Sequence, residues 1–384
     1  MAKHLSQAFA KPHRGIGVAV SPPALHPRFE RLPQLPAGSL AMDVATYLPN
    51  IHQEAASAGK LVLHAFGDSG GVYGTQAQDA VAAALEAQLT AADPAAKPRF
   101  LFHLGDVVYF NGEDKLYPTQ FYEPYQYYDA PVFAIPGNHD GDTHVRRGDP
   151  ADTDPYSLYG FMQNFCNRAG AVTFKHRAPM NQPYCYWRLE APFVQIVGLY
   201  SNVDGTLDEG SDTTQRDWLQ KQVESVPKNK WLIVTVHHPC YSLDTVHGGY
   251  GEILKSLDAA CSGAGRFPDL VLSGHVHDYQ RFSRKQGGAS IPYIICGNAG
   301  YANDERLLHK LQSRVANSQM PFKTVDQPGV ALEAFDDSNS GFLRLTASAR
   351  ALTVDYFAVP FRGNADTSTA ADSVTVPASS AKTA

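Results

Sequence analysis

Five short apolar runs in this 384-residue chain each stop at residues that can bind a metal or move a proton. "KLVLHAFGD" ends at Asp68, "RFLFHLGD" at Asp106, and "PVFAIPGNHD" at Asn138 and His139. "KWLIVTVHHP" ends at His237 and His238, and "DLVLSGHVH" at His275 and His277. One acid after a strand is noise. Five such endings, supplying only oxygen and nitrogen donors, predict one site gathered from distant parts of the chain. In open α/β sheets, ligands bind at the carboxyl ends of the strands. Mixed carboxylate and imidazole donors suit Fe, Mn, Zn or Ni over Mg or Ca alone. Two ions about 3.5–4 Å apart need a bridging carboxylate and can activate a water between them. Tyr109 lies three residues after Asp106. A free phenol titrates near 10, so a phenolate ligand needs a strongly acidic ion, and ferric iron fits.

The elements that must hold these residues follow from periodicity. The runs ending at Asp68, Asp106, Asn138, His237 and His275 read as buried strands, with "YCYWRLEA" and "FVQIVGLYS" as two more. Residues 75–92, "DTTQRDWLQKQVES" with Asp212 as N-cap, and "GEILKSLDAAC" read as helices. Short apolar strands alternating with helices predict α/β layers with much parallel pairing. After residue 280 the pattern turns antiparallel, and "GFLRLTASA" with "ALTVDYFAV" reads as a hairpin. Residues 1–58 are Pro-rich and read as an extended N-terminal segment. Residues 59–362 form the catalytic domain, and the small, polar 363–384 read as a disordered tail. Residues 141–183 form a long insertion, and a loop of that length is functional or disordered. Its His144, Arg146 and Arg147 are candidates for anion contacts, against the blander reading of a solvated charged face. His64 and His103 sit inside strands and read as core histidines. The run "YPTQFYEPYQYYD" reads as aromatic packing.

Composition narrows the classes. The chain is 43% hydrophobic and 18% charged, as in a globular protein with a large core. Its net charge of −6 and the lack of a basic stripe argue against a nucleic-acid partner. No apolar run is long enough to span a membrane. The start "MAKHLSQAFAKPHRG" shows no secretory apolar core, so a cytoplasmic location is expected. The five cysteines contain no CxxC pair and read as mostly reduced thiols, with a Cys166–Cys185 bridge as the one candidate pairing.

The ordered set GD…GDxxY…GNH(D/E)…VxxH…GHxH resembles the calcineurin-like metallophosphoesterases, over residues 61 to about 300. Two details resemble the purple acid phosphatase branch. Asp68 is followed by Ser69 and Gly70, where most of the superfamily has DxH, and Tyr109 supplies the missing ligand. "GHVHDYQRF" is similar to that branch's GHVHxYER, with Gln280 replacing the acid. The resemblance implies two stacked mixed β-sheets flanked by helices. It implies that Asp68, Tyr109 and His277 hold a ferric ion, that Asn138, His237 and His275 hold a divalent ion (Fe, Zn or Mn), and that Asp106 bridges them. It selects His237 over His238 as the ligand. It gives His139 the role of stabilising charge or protonating the leaving group. "CYSLDTVHGGYGE" resembles WYNSxxxHxxxGE, which puts His247 near the phosphate; Val246 stands where some relatives carry a further His. The implied reaction is cleavage of a small phosphate monoester by a metal-activated hydroxide. A phosphodiesterase acting on cyclic nucleotides or phospholipid headgroups is the enzyme alternative. A metal-binding scaffold without catalysis is the non-enzyme alternative, and the complete ligand set speaks against it.

Overall fold

In the computed structural model the described residues are 32–90, 93–142, 154, 156–167, 177–208, 212–286, 288–324, 327–361 and 367–378. The apolar runs become strands in two mixed sheets. The nine-stranded sheet contains β1 (Ala41–Asp43), β5 (Trp187–Glu190), β6 (Val194–Leu199), β7 (Trp231–Val236), β8 (Leu270–Ser273), β10 (Ala289–Cys296), β9 (Tyr279–Gln286), β12 (Val330–Asp336) and β11 (Phe322–Lys323), in that spatial order. The six-stranded sheet runs β15 (Thr369–Pro377), β14 (Ala351–Val359), β13 (Ser340–Ala347), β2 (Leu61–Phe66), β3 (Leu101–His103) and β4 (Val132–Ala134). β2, β3 and β4 pair in parallel, as do β6, β7 and β8, so their carboxyl ends lie together in each sheet. β13 and β14 form the expected hairpin, and β13 also pairs antiparallel with β2.

The period-two alternation of a strand explains the layers. Ile196, Ile233, Leu270 and Leu272 point into a core shared with Leu63, Ala65, Phe102, Phe133 and Leu345 of the other sheet. Trp187 packs between the sheets, with ring centroids 6.0 Å from Phe102 and 5.7 Å from Phe133. The alternate residues Val197, Leu199, Leu232, Val234 and Val271 face a second core. Leu219 and Val223 of the helix Thr214–Ser225, and Ile253 and Leu257 of the helix Gly251–Gly263, cover that core. This is the α/β architecture of two stacked sheets flanked by helices.

His64 and His103 are fully buried core residues, as expected. The Gln88 carbonyl can only accept, so His64 donates from Nε2 at 3.2 Å, and Nδ1 takes the Tyr128 hydroxyl at 3.0 Å. Gly105 N donates to His103 Nδ1 at 3.2 Å, so Nε2 donates to Ser69 Oγ at 2.8 Å. Tyr117, Phe121, Tyr122, Tyr125 and Tyr128 are buried, so that aromatic run is packing.

Two boundaries need correction. The tail read as disordered over 363–384 contains β15, which pairs antiparallel with β14. Val374 and Val376 alternate toward the main core, and Asp372 takes Arg281 at 2.6 and 3.0 Å and the Tyr279 hydroxyl at 2.7 Å. Small polar composition hid a strand whose partner supplies the apolar surface. The N-terminal segment read as extended contains β1, parallel to β5, and the helix Ile51–Ala58. Ile51 and Ala55 bury one face of that helix, and Gly59 ends it at φ 67°. Residues 1–31 and the loop residues His144, Arg146 and Arg147 lie outside the described residues. All five cysteines are free, so Cys166 and Cys185 are not bridged. No described helix is long and apolar enough to cross a membrane.

Candidate metal centre

Each strand end leaves its sheet by a sharp turn. Asp68, Asp106 and His275 have φ of 60°, 53° and 69°, left-handed values that L-residues with side chains seldom adopt. Such backbone persists where surrounding contacts hold it. Asp68 N donates to Gly105 O at 3.0 Å, and the Asp68 carboxylate accepts His275 N at 2.8 Å through Oδ2. His139 N donates to Asp106 Oδ1 at 2.8 Å. Gly137 is required here, because a Cβ at that position would lie 2.1 Å from Asp106 Oδ1.

The side chains gather in two adjoining groups. In the first, Tyr109 Oη is 3.1 Å from Asp68 Oδ1 and 3.5 Å from His277 Nε2, and His277 Nε2 is 3.3 Å from Asp68 Oδ1. In the second, Asn138 Oδ1 faces His275 Nδ1 at 2.9 Å and His237 Nε2 at 3.1 Å, and His237 Nε2 is 3.3 Å from Asp106 Oδ2. Donor atoms of Asp106, His237 and His275 all lie within 4.8 Å of one another. The first group uses the segments after β2 and β3 of one sheet and the turn after β8 of the other. The second uses the turns after β3 and β4 with those after β7 and β8. The site therefore straddles the carboxyl ends of both sheets.

The electrostatics suit cations. Asp68 and Asp106 are buried, and their salt bridges among the described residues are to His277 and His237 alone. Burial, with Asp106 nearby, pushes the Asp68 carboxyl well above the usual range. Burial opposes ionisation of Asp106 as well, but His237 and His139 hold its carboxyl below the usual range. Burial lowers His237, yet Asp106 and Asp68 together raise it to about 9. A proton on His237 thus balances a buried carboxylate, the service a metal cation would perform. Burial pushes His275 and His277 well below their ordinary value, which keeps them in the neutral form that ligates metals. His277 Nδ1 is buried without a hydrogen-bond partner, so the protein alone does not satisfy that ring. The donor set fits two cations.

Supporting groups fix the rings. His237 Nδ1 faces Leu104 O at 2.9 Å, and the Tyr250 hydroxyl meets His275 Nε2 at 2.8 Å. His238, the alternative in "VHHP", packs against His275 with ring centroids 4.3 Å apart and bonds Ser201 Oγ at 2.7 Å, so it is a packing partner. His139 Nδ1 donates to Phe110 O at 2.8 Å, which confines its proton exchange to Nε2. His247 N is held by Asp244 Oδ2 at 2.9 Å, and its ring lies 4.3 Å from that of His275. The structure brings Asp68, Asp106, Tyr109, Asn138, His139, His237, His247, His275 and His277 together, while His144, Arg146 and Arg147 lie outside the described residues.

Three contributors escaped the sequence reading. Asp140 accepts from Gly137 N, Val107 N and Val108 N at 2.8 to 3.2 Å and ties two ligand turns together. Burial, then the Asp106 charge, raises its carboxyl to about 7. His309 stacks on His277 at 4.4 Å and accepts from His277 N at 3.0 Å. Tyr250 is the third. Asp140 stands inside "GNHD" and could have been found from that motif; nothing around His309 marks it.

A family model described as calcineurin-like phosphoesterase matches residues 56–279. Purple acid phosphatase 21 of Arabidopsis thaliana is 34% identical over 96 residues, 23% of this chain and 22% of that protein. The match to human tartrate-resistant acid phosphatase type 5 is longer, 26% identical over 333 residues, 81% of this chain and 91% of that protein. The probable glycerophosphodiester phosphodiesterase GpdQ of Arcobacter nitrofigilis is 25% identical over 183 residues, 47% of this chain and 57% of that protein. Across the first plant and fungal relatives the chain covers only 22% to 29% of their length. Among solved structures, purple acid phosphatase PPD1 of yellow lupin superimposes with a TM-score of 0.58 at 17% identity, covering 83% of this chain and 54% of that one.

Proposed function

Because the chain belongs to the calcineurin-like phosphoesterase family, we propose that it hydrolyses phosphate monoesters at a two-metal centre. In this reading Asp68, Tyr109 and His277 hold one ion, Asn138, His237 and His275 hold the other, and Asp106 lies between them. Tyr109 favours ferric iron at the first position, with Fe, Zn or Mn at the second. Two bound cations supply positive charge for the phosphate oxygens and lower the pKa of water.

The remaining chemistry falls to the chain's own residues. His139 Nε2 is the proton donor to the leaving oxygen, with its ring braced 4.7 Å from Tyr109. His247 contributes a hydrogen-bonding face toward the phosphate, on a turn that Asp244 holds. Tyr250 and His238 keep the His275 ring from turning. Asp140 keeps the turns bearing Asp106 and Asn138 in register.

The observation that carries this reading is the convergence of the two donor groups at one junction between the sheets. The test is hydrolysis of an aryl phosphate monoester against the matching diester after loading with Fe, Mn or Zn, with Asp106→Ala as blank. A monoester preference supports the proposal. A diester preference moves the reading to the phosphodiesterase alternative, the activity named for the GpdQ relative. Two bound metals with no turnover of either ester point to a scaffold.

A further inference from the structure

We propose that the site selects phosphate esters whose leaving group carries an aromatic ring, through a rim of Tyr73, Phe110 and Tyr301. The inference rests on the phosphoesterase reading and specifies its substrate class.

The rim is continuous with the proposed catalytic groups. The Tyr301 ring lies 4.0 Å from His277 and 4.6 Å from Tyr109. Phe110 lies 5.8 Å from the His139 ring, and its carbonyl accepts from His139 Nδ1. Tyr73 closes the outer edge, 5.4 Å from Tyr301 and 6.1 Å from Phe110. The rings meet at 69° to 84°, so the rim offers both ring faces and ring edges.

Burial separates this rim from ordinary packing. The aromatic run at 117–128 is mostly buried, whereas Tyr73 is 43% exposed although it touches two other rings. An aromatic cluster left open beside polar chemistry is a recognition surface more often than a core fragment. On the loop that carries His247, Val246 is also exposed, at 39%. The approach to the site is thus aromatic and apolar around a charged centre. A leaving group extending from the phosphate past His139 meets Phe110 first, then the Tyr73–Tyr301 pair. A flat ring there makes edge-to-face contacts at the spacing the rim already uses. A saturated ring of equal size gains the apolar contact without the quadrupole match.

Binding separates this inference from catalysis. The metal-loaded protein is titrated calorimetrically with 2-phenylethylphosphonate and with 2-cyclohexylethylphosphonate, neither of which can be hydrolysed as an ester. We expect the phenyl compound to bind about threefold to tenfold more tightly, the worth of one or two aromatic contacts. In Tyr73→Leu, which stays apolar at an exposed position, that ratio falls toward one. Equal or tighter binding of the cyclohexyl compound by the wild type overturns the inference, as does an unchanged ratio in Tyr73→Leu. Discrimination between the phosphonates without turnover of any phosphate ester upholds the rim and defeats the hydrolase reading.

Discussion

His64 offers a quantitative test of how the core responds to acid. Its Nδ1 takes the Tyr128 hydroxyl and its Nε2–H meets Gln88, both within the core, and burial is the main cause that lowers it to about 3 from 6.5. The unfolded chain binds a proton at this residue near pH 6.5, while the folded chain does not until about pH 3. Below 6.5 the unfolded state therefore holds more protons, and stability falls as the pH falls through that window. With those two values, His64 alone removes ~2 kcal/mol at pH 5 and ~3 kcal/mol at pH 4, relative to neutral pH. Asp140 and Asp244 act oppositely, since burial raises them to about 7 and about 6, so the net slope of the wild type is a poor readout. The difference between wild type and His64→Gln isolates the residue. Urea unfolding of both proteins at several pH values from 7 to 4 is the assay. The variant is less stable at pH 7, and its deficit shrinks by ~2 kcal/mol at pH 5. Parallel stability curves would refute the claim that His64 stays neutral in the fold.

Other outcomes follow from the site. Tyr109→Phe is expected to remove the visible absorption of the iron-loaded protein; a coloured variant, or a colourless wild type with full metal content, contradicts phenolate ligation. Gln280→Glu places a second carboxylate against buried Asp278, whose oxygens now accept Gln280 Nε2 at 3.0 and 3.1 Å. We expect a loss of ~2–3 kcal/mol in urea unfolding at pH 7, largely restored by adding Asp278→Asn; no recovery in the double variant would show that the repulsion is not the cause. Gly137→Ala drives a methyl into Asp106 and should lower metal content measured by elemental analysis; full occupancy would mean that the turn relaxes freely.

What the sequence made legible was chemistry at strand ends. Asp68, Asp106, Asn138, His237, His275 and His277 stood out because a buried strand ending in a donor is locally visible. The replacement of an acid by Gln280 was visible too, though its reason was not. Asp278 already places a carboxylate there, and an amide can donate to it. Contacts made by pairing stayed hidden. His309 reaches His277 because its N–H meets the His277 carbonyl at 3.1 Å, a meeting that local spacing does not encode. β15 and β1 join sheet edges at short or polar stretches, where the partner strand supplies the order. Tyr73 gave no signal, since one aromatic in a loop means nothing until Phe110 and Tyr301 are beside it.

The hairpin of β13 and β14 has a consequence for synthesis. β2 has two neighbours in its sheet: β3, made soon after it, and β13, which begins at Ser340. Throughout translation of the intervening chain one edge of a wholly buried strand is unpaired, and such edges invite wrong partners. All seven proposed metal ligands lie between Asp68 and His277, inside the span the family model matches, yet Asp68 hangs from that half-finished strand. A nascent chain that has already emitted every ligand still cannot hold them in place. The smallest working unit of this protein is set by its last strands, far downstream of its last ligand.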